Sequence, residues 1–364
     1  MIIRGSHYRT GDRIEITCQG DRITRIEPAR SGLVDREVGL IAPALFDVQI
    51  NGCLGISFNS NHLTLDKIRT VVDTCRQHGI GQFLATLITN SERELAEGFA
   101  TLAQARAQDA MVAQTIVGYH LEGPFISPLD GARGAHPLEH VRAPDWSEFQ
   151  RLQEAACGQI LLVTLAPELH GAYRFIEKLV ANNHVVALGH TDATAAQIRS
   201  AVHAGARLST HLGNGCPSVL PRHDNVIWEQ LACEQLWASI IPDGEHLPPA
   251  ILKSIVRAKS PTQCIITCDA SSLAGLPAGR YPHWGQTLDI LPSGRIVVAG
   301  TPYLAGSNNF TDHCVHHIVQ TVGLDFATAI DMASTQPRQL LGLPPRCLEV
   351  GMPADFFVTT SLPS

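Results

Sequence analysis

The 364-residue sequence predicts a (β/α)8 TIM-type barrel together with a small β-sandwich domain formed by both termini. Two observations predict the barrel. Eight short apolar runs rich in β-branched residues recur along the chain, and segments with helical periodicity separate them. Near-continuous apolar strands are typical of a parallel sheet covered on both faces. The apolar share of 45% and the charged share of 17% indicate a globular chain with a substantial core.

The predicted barrel elements alternate regularly. The eight strands are residues 41–50, 81–87, 117–123, 159–167, 184–191, 206–212, 237–244 and 263–270. The helices between them cover residues 65–79, 91–108, 172–183, 194–205 and 248–260. Thr64 and Asn90 precede two of these helices and are expected to be their N-cap residues.

The two chain ends depart from this alternation. Residues 1–40 alternate apolar and polar positions between turn dipeptides, as antiparallel strands do, and residues 347–360 look similar. Because chain ends often lie close together, we expect residues 1–42 and 341–364 to form the β-sandwich domain and residues 43–340 to form the barrel. A stretch at 285–300 with a Ser-Gly turn predicts a β-hairpin after strand eight.

Composition limits the classes of partner. A formal net charge of −7 gives no broad basic surface, which argues against nucleic acid or an anionic membrane. The ten cysteines occur singly, with no CxxC pair, so we expect reduced core thiols and a cytoplasmic location. No apolar stretch approaches membrane-spanning length. A small molecule is therefore the expected ligand.

Polar residues cluster where the predicted strands end, and barrel enzymes carry their catalytic groups at those ends. Such residues are Gln49 and Asn51 at the end of strand one, Glu122 at the end of strand three, His190 of strand five, His211 of strand six and Asp269 of strand eight, with His246 directly after strand seven. One strand-end histidine alone is more often a hydrogen-bonded structural residue than a ligand. Several such groups at one barrel mouth instead predict an active site.

The residue types at these positions indicate metal-dependent hydrolysis. Glu122, His190 and His211 make a set of two imidazoles and one carboxylate, which leaves room for a water on a bound ion. Asp269 is expected to take the proton of that water and pass it to a departing amine, and His246 to hydrogen-bond the scissile carbonyl oxygen. We expect one divalent ion. Zinc is the first choice, and iron or another ion stays open because these ligands accept several metals.

At these residues the sequence resembles the N-acetylglucosamine-6-phosphate deacetylase family, a branch of the amidohydrolase superfamily. The matching motifs span nearly the whole chain: DVQINGC (47–53), HLEGPFI (120–126), TLAPE (164–168), LGHT (188–191), THLxN (210–214), DGxH (243–246), DA (269–270) and LAGS (304–307). The resemblance implies removal of acetate from an N-acetylated amino sugar, with N-acetylglucosamine 6-phosphate as first candidate. It also implies one principal metal, because Gln49 and Asn51 replace the two histidines that hold a second metal in many amidohydrolases.

The same resemblance implies substrate-binding positions. His136 lies on a loop that carries a substrate-binding histidine in the family, and Asn214 and Gly215 lie in a loop that contacts the sugar. Arg222 stands where the family has an arginine that reaches the phosphate of the neighbouring subunit's substrate in a homodimer. An exposed ion pair between Arg222 and Asp224 carries equal weight, so phosphorylation of the substrate stays open.

Other functions stay open at this point. The same machinery would serve an unphosphorylated or galacto-configured N-acetylhexosamine or an N-acyl amino acid. A non-catalytic binding or assembly protein is a second alternative, which the joint presence of the metal-type residues and Asp269 disfavours. Residues 312–317 contain three histidines and a cysteine, but neighbouring helix positions face different directions. We expect ordinary helix surface and core there rather than a second metal site.

Overall fold

The computed structural model, which describes residues 1–283 and 286–359, begins with four strands. They are β1 (Ile2–His7), β2 (Arg13–Gln19), β3 (Arg22–Pro28) and β4 (Arg36–Pro43). β2 pairs antiparallel with β1 and β3, and β4 pairs parallel with β1. Inward-facing residues of this layer, among them Ile3, Ile16 and Ile23, form a separate apolar cluster, as the alternation of apolar and polar positions predicts.

Eight parallel strands form the barrel that the sequence predicts. After β5 (Leu45–Ile50) comes a short antiparallel pair, β6 (Gly52–Cys53) and β7 (Ile56–Ser57). The other barrel strands are β8 (Ile80–Ile88), β9 (Ile116–Glu122), β10 (Ile160–Leu165), β11 (Val185–Leu188), β12 (Leu208–Ser209), β13 (Trp237–Ile240) and β14 (Cys264–Ile266). Each pairs with the next along the chain, and a bridge between Ile50 and Ala270 joins the two edges. Every residue of β8 is buried, because the sheet is covered on both faces.

Helices surround the barrel. They are α1 (Leu65–Gln77), α2 (Glu92–Gln108), α3 (Ala110–Thr115), α4 (Trp146–Ala155), α5 (Ala172–Ala181), α6 (Ala195–His203), α7 (Val226–Ala232), α8 (Pro249–Lys259), α9 (Thr311–Val322), α10 (Phe326–Met332) and α11 (Thr335–Leu340). Single 3-10 turns lie at Leu138–His140 and Pro261–Gln263. The five predicted helices are confirmed as α1, α2, α5, α6 and α8.

One of the two predicted N-caps is wrong. Thr64 caps α1, since its hydroxyl accepts from the backbone N of Lys67. α2 is capped by Ser91, whose Oγ accepts from the backbone N of Glu94. Asn90, the predicted cap, accepts instead from the N of Ser91 and so lies one residue outside the helix. Adjacent polar residues offer the same cap signal, and only the backbone conformation separates them.

The first predicted strand, residues 41–50, is two strands. β4 ends at Pro43 in the terminal sheet, and β5 begins at Leu45 in the barrel. Between them the backbone N of Ala44 donates to the carbonyl of Asp355, near the C-terminal strand. The chain therefore changes sheets inside one apolar run.

A three-stranded antiparallel sheet follows strand eight of the barrel. Its strands are β15 (Gly279–His283), β16 (Gln286–Ile290) and β17 (Ile296–Val298). The predicted hairpin at 285–300 is confirmed as β16 and β17 for its described part, and Gly285 lies outside the described residues. The sequence analysis did not predict β15.

Both chain ends share one β-layer, as predicted. β18 (Phe356–Thr359) pairs antiparallel with β4, which completes a five-stranded sheet in the order β18-β4-β1-β2-β3. In the described part of the chain this layer is one sheet, and residues 360–364 of the predicted C-terminal segment lie outside it. Within the described ranges, none of the helices has the length and apolar character needed to span a membrane.

Candidate active site

The predicted site residues lie at or just beyond the carboxyl ends of the barrel strands. Glu122 is the last residue of β9. His190, His211 and Asp269 follow β11, β12 and β14 and have positive φ angles of 51°, 32° and 50°. Residues with a side chain rarely adopt this conformation, and it persists where the surrounding structure enforces it, often at functional sites. The barrel strands end early because the backbone leaves β geometry before these residues.

Glu122, His190 and His211 meet at one point. Oε1 of Glu122 is 3.2 Å from Nε2 of His190 and 3.0 Å from Nε2 of His211, and the two Nε2 atoms are 3.1 Å apart. Nitrogen and oxygen donors bound at about 2.0–2.2 Å from one ion have separations of this size. All three side chains are buried. The spacing therefore fits the predicted metal set.

The hydrogen bonds of His190 support the same fit. Its Nδ1 lies 2.9 Å from the carbonyl oxygen of Ala132, and a carbonyl only accepts, so Nδ1 carries the proton. In the neutral ring, Nε2 then directs a lone pair at the carboxylate of Glu122. A buried lone pair facing a carboxylate is stabilised by a cation between them, and a ligating histidine commonly donates its other ring N–H to a backbone carbonyl. The donor set fits a divalent ion.

The electrostatics of Glu122 follow from its neighbours. Burial alone would raise its pKa, but the adjacent rings of His190 and His211 hold the pKa well below the ordinary value. Burial lowers the pKa of His211, against the opposing effect of Glu122. The site therefore presents a carboxylate and neutral imidazole, the protonation states that metal binding requires.

His136 lies beside the metal donors. Its Nδ1 is 2.8 Å from Oγ1 of Thr89, and its Nε2 is 4.0 Å from Oε2 of Glu122. The donor atoms of Glu122, His136 and His190 all lie within 4.8 Å of one another. Burial holds the pKa of His136 well below its ordinary value. This neutral ring is farther from Glu122 than the other two, so it borders the metal set and faces the same space.

Asp269 accepts hydrogen bonds from the side-chain amides of Gln49 and Asn51. Asn51 Nδ2 donates to Oδ1 of Asp269 at 2.7 Å, and Gln49 Nε2 donates to the same oxygen at 3.0 Å and to Glu122 at 2.9 Å. Burial, with the charge of Glu122, raises the pKa of Asp269 well above its ordinary value, although the Asn51 bond opposes this. A raised pKa strengthens the affinity of this carboxyl for a proton, as a group that accepts and then delivers one requires.

Sequence reasoning missed the role of Asp47, which is completely buried in β5. Its carboxylate accepts four hydrogen bonds, from Gln49 N (2.8 Å), Thr267 Oγ1 (2.5 Å), Cys268 N (2.9 Å) and Thr311 Oγ1 (2.6 Å). These bonds tie β5 to the end of β14 and to α9, where the barrel closes. The sequence signal that could have indicated this role is an acidic residue inside an otherwise apolar predicted strand.

His246 and Asp243 form the other missed connection. Nδ1 of His246 is 2.8 Å from Oδ2 of Asp243, and both side chains are buried. The sequence analysis had singled out His246 but gave Asp243 no role. The sequence signal that could have indicated this pair is that Asp243 and His246 lie three positions apart in one short loop.

The predicted residues share one cavity of about 500 Å³. Its lining includes Asn51, Glu122, His136, His190, His211, Asn214, Gly215, His246 and Asp269. Gln49 contacts the lining carboxylates without lining the cavity itself. β16 forms part of the wall, and its Gln286 donates across to the carbonyl of Ala135. None of the described residues that line the cavity is lysine or arginine.

Arg222 lies outside this cavity lining. Its side chain is exposed, and its carbonyl accepts from Nε1 of Trp228 at 3.0 Å. Within the described ranges its guanidinium forms no ion pair, so the expected pair with Asp224 is absent. Residues 312–317 lie on α9 as expected: the rings of His313 and His317 stack with centroids 6.1 Å apart, whereas His316 packs near Phe326.

Comparison with known proteins gives a consistent relationship. A model of the amidohydrolase family matches residues 40–363. An N-acetylgalactosamine-6-phosphate deacetylase from Escherichia coli O157:H7 is 31% identical over 325 residues, covering 88% of this chain and 83% of that protein. An N-acetylglucosamine-6-phosphate deacetylase from Danio rerio is 35% identical over 340 residues, covering 89% and 81%.

A solved structure agrees over nearly the full length. It is a mutant of N-acetyl-D-glucosamine-6-phosphate deacetylase from Mycobacterium smegmatis in complex with N-acetyl-D-glucosamine-6-phosphate. The TM-score is 0.88 at 29% identity, with 98% of this chain and 94% of that chain covered.

Proposed function

We propose, because the chain belongs to the N-acetylglucosamine-6-phosphate deacetylase family of the amidohydrolases, that it hydrolyses N-acetylglucosamine 6-phosphate to acetate and glucosamine 6-phosphate. One observation carries the proposal: two imidazoles and a carboxylate converge in a buried cavity beside an aspartate with a raised pKa. Metal-dependent amide hydrolysis uses these elements, a place for an ion and a group that moves a proton.

Asp269 moves the proton in this reaction. When bound, a divalent ion supplies Lewis acidity, which lowers the pKa of a water and polarises the acetyl carbonyl. Asp269 accepts a proton from the attacking water and delivers it to the sugar nitrogen as the C–N bond breaks. Gln49 and Asn51 both donate to its Oδ1, which leaves Oδ2 to carry the proton. The two amides thus orient the carboxyl without adding charge.

His246 and His136 are the proposed contacts to substrate, with the loop at Asn214 and Gly215. His246 lines the cavity and donates a hydrogen bond to the acetyl oxygen as negative charge develops there. His136 is oriented by Thr89 and lies at the edge of the metal set. Asn214 bonds the carbonyl of His211 through its side chain, which holds the loop against the metal set.

We further propose a single ion, zinc, held by Glu122, His190 and His211. Gln49 and Asn51 give amide N–H donors to the two carboxylates where a second cation would otherwise balance them. Metal analysis of purified protein tests both points. About one equivalent of zinc supports the proposal, and two equivalents, or tight binding of iron alone, would require a different assignment.

The phosphate is proposed to meet Arg222 of a second copy of the chain in a homodimer. The described cavity lining has no lysine or arginine, so a bound dianion needs a cation from outside. Arg222 is exposed, and near it Val219 and Trp228 leave 86% and 56% of their surface exposed, apolar area that a subunit contact would bury. Guanidinium binds phosphate through two parallel hydrogen bonds.

Mixing two variants tests this arrangement. Arg222→Gln homodimers lack the phosphate contact, and Asp269→Asn homodimers lack the proton carrier. A heterodimer contains one site with Asp269 from one subunit and Arg222 from the other. Mixing, after dissociation and reassociation, should restore activity above that of either variant, and a mixture no more active than the sum of its parts would contradict a shared site.

A galacto-configured substrate is the second candidate, because the Escherichia coli O157:H7 relative is an N-acetylgalactosamine-6-phosphate deacetylase. Acetate release should be measured on N-acetylglucosamine and N-acetylgalactosamine, each with and without 6-phosphate, after zinc reconstitution. The highest kcat/KM on N-acetylglucosamine 6-phosphate supports the first candidate. Since all ten cysteines are free thiols, we propose that the enzyme works in the reducing cytoplasm.

A further inference from the structure

We propose that Asp243 is a positioning residue for His246, and that its carboxylate holds the imidazole in the doubly protonated form that donates to the acetyl oxygen. This inference rests on the proposed function, since it assumes that His246 faces the reacting carbonyl. It assigns a role to a residue that does not itself line the cavity.

One carboxylate holds both the loop and the ring. Asp243 follows β13, three residues before His246. Its Oδ1 accepts from the backbone N of Glu245 and of His246, each at 2.9 Å. Its Oδ2 is 2.8 Å from Nδ1 of His246. The Asp243 and His246 side chains are 1% and 4% exposed, so water does not compete for these bonds.

Ser307 links this pair to the segment that carries Asp269. Its Oγ donates to Oδ2 of Asp243 at 2.7 Å. Its backbone N donates to the carbonyl of Asp269, and its carbonyl accepts from the N of Ser271, both at 2.9 Å. The group that faces the carbonyl and the group that moves the proton therefore share one hydrogen-bonded framework.

The direction of the Asp243 bond determines what His246 can do. A carboxylate only accepts, so Nδ1 of His246 carries a proton. A neutral ring would then present a lone pair on Nε2, which repels a carbonyl oxygen. Only the imidazolium donates from Nε2, and a carboxylate at 2.8 Å stabilises that cation. Burial raises the pKa of Asp243, but the hydrogen bond and charge of His246 outweigh burial and leave it well below the ordinary value, as in an ion pair.

Other titratable groups face the pair from the cavity and from α9. His313 on α9 contacts the carbonyl of Asp243 at 3.1 Å. The groups with an electrostatic interaction with Asp243 or His246 are His211, Asp269, Cys314 and His317. None of them is bonded to the His246 ring in the described structure, so Asp243 is the group that fixes its proton.

Asp243→Asn separates charge from shape. Two backbone N–H groups point at the Oδ1 position, so the amide oxygen of the variant is expected there. The NH2 group then faces Nδ1 of His246, whose proton moves to Nε2. The ring stays a donor but loses its positive charge, and charge-assisted hydrogen bonds are about twice as strong as neutral ones. We expect kcat to fall about 10- to 100-fold, less than the ~10²–10³-fold loss when such a donor is removed entirely.

A double-mutant cycle on zinc-loaded enzyme tests the role. The variants are Asp243→Asn, His246→Asn and the double variant, and Glu245→Gln is the matched control because it removes a carboxylate from the same loop outside the cavity lining. We expect Asp243→Asn to lower kcat in the wild-type background but by less than about 2-fold when His246 is already Asn. KM and zinc content should stay within about 2-fold of wild type, as should every parameter of Glu245→Gln.

The hydroxyl of Ser307, which donates to Oδ2 of Asp243, gives a second test. Ser307→Ala removes one bond to the same oxygen and should lower kcat about 3-fold, again only when His246 is present; it serves if Asp243→Asn does not fold.

Failure of this inference can be distinguished from failure of the proposed function. Equal losses from Asp243→Asn with and without His246, or loss of zinc, would show that Asp243 only holds the loop and would overturn this inference while leaving the deacetylase assignment intact. Wild-type protein that releases no acetate from any N-acetyl sugar would overturn the proposed function and this role with it.

Discussion

Replacing Asp269 by asparagine should remove most turnover and leave the metal site intact. The amide oxygen keeps the bonds from Asn51 and Gln49, which both reach Oδ1, so the NH2 group takes the other position and faces the cavity. That group cannot accept a proton from water. Asp269 is not one of the proposed ligands, which are Glu122, His190 and His211. Zinc binding should therefore persist.

The magnitude follows from the role. General acid–base catalysis contributes about 10²–10⁴-fold, so kcat should fall by that factor with KM within about 3-fold. This is a loss of roughly 3–6 kcal/mol of transition-state stabilisation, at about 1.4 kcal/mol for each factor of ten. A residue that only shaped the cavity would change KM at least as much as kcat.

The same substitution should stabilise the metal-free protein. Burial and the charge of Glu122 raise the folded-state pKa of Asp269 well above the ordinary value. Its favourable contribution is fully present below the unfolded-state pKa of about 4 and is lost as pH rises through the raised folded-state pKa. At pH 7–8 the Tm of metal-free Asp269→Asn should therefore exceed that of wild type, and the difference should vanish near pH 3.

Three measurements decide the matter: steady-state acetate release, zinc content, and thermal unfolding of the metal-free protein at both pH values. Turnover within about 10-fold of wild type would refute the proton-carrier role. Loss of zinc would instead make Asp269 a ligand. A lower Tm at neutral pH would contradict the account of its electrostatics.

Three further substitutions probe the supporting structure. His190→Ala should weaken zinc binding by more than about 100-fold in chelator competition, and unchanged affinity would move the ion elsewhere. Gly215→Ala should weaken it about 10- to 100-fold, because Gly215 has φ +58° and an added Cβ would lie 3.0 Å from the His211 ring; unaltered binding would show that the loop yields freely. Asp47→Asn should cost about 2–4 kcal/mol in urea unfolding of metal-free protein, since its NH2 group would face donors, and a loss under about 1 kcal/mol would contradict its role at the barrel closure.

The barrel could be predicted because the burial of its strands determines their local residue composition. Strands buried on both faces read as apolar runs, and β8, with every residue buried, is the clearest example. The residues at which strands begin and end were harder to predict. Residues 41–46 are uniformly apolar, yet the chain changes sheets at Ala44, whose backbone N bonds the carbonyl of the distant Asp355. A hydrogen-bond partner hundreds of residues away does not change the local sequence pattern.

The active site also has some features that the local sequence indicates and others that it does not. His190, His211 and Glu122 could be found because each interrupts or ends an apolar run at one end of the barrel. The positive φ angles of the two histidines could not be predicted, since tertiary contacts and not the local sequence enforce that conformation. The groups that orient the site were also hidden: Thr89 holds His136 across 47 residues of sequence. Sequence pattern reveals which polar residues are present, and tertiary contacts decide which of them act.

Four buried acids at the barrel mouth show why the environment assigns the roles. Asp47 accepts four neutral hydrogen bonds and is not among the cavity-lining residues, so it cannot exchange a proton with substrate. Glu122 faces the imidazoles of the metal set, and Asp243 is paired with His246. Asp269 alone among the four both lines the cavity and is bonded in the described structure only through neutral amide and backbone groups. A buried charge with two neutral donors, both on one oxygen, and no cationic partner is costly, so burial raises the pKa of this carboxyl well above its ordinary value. Identical side-chain chemistry thus divides into structural, ligand, positioning and proton-carrying roles by contacts alone.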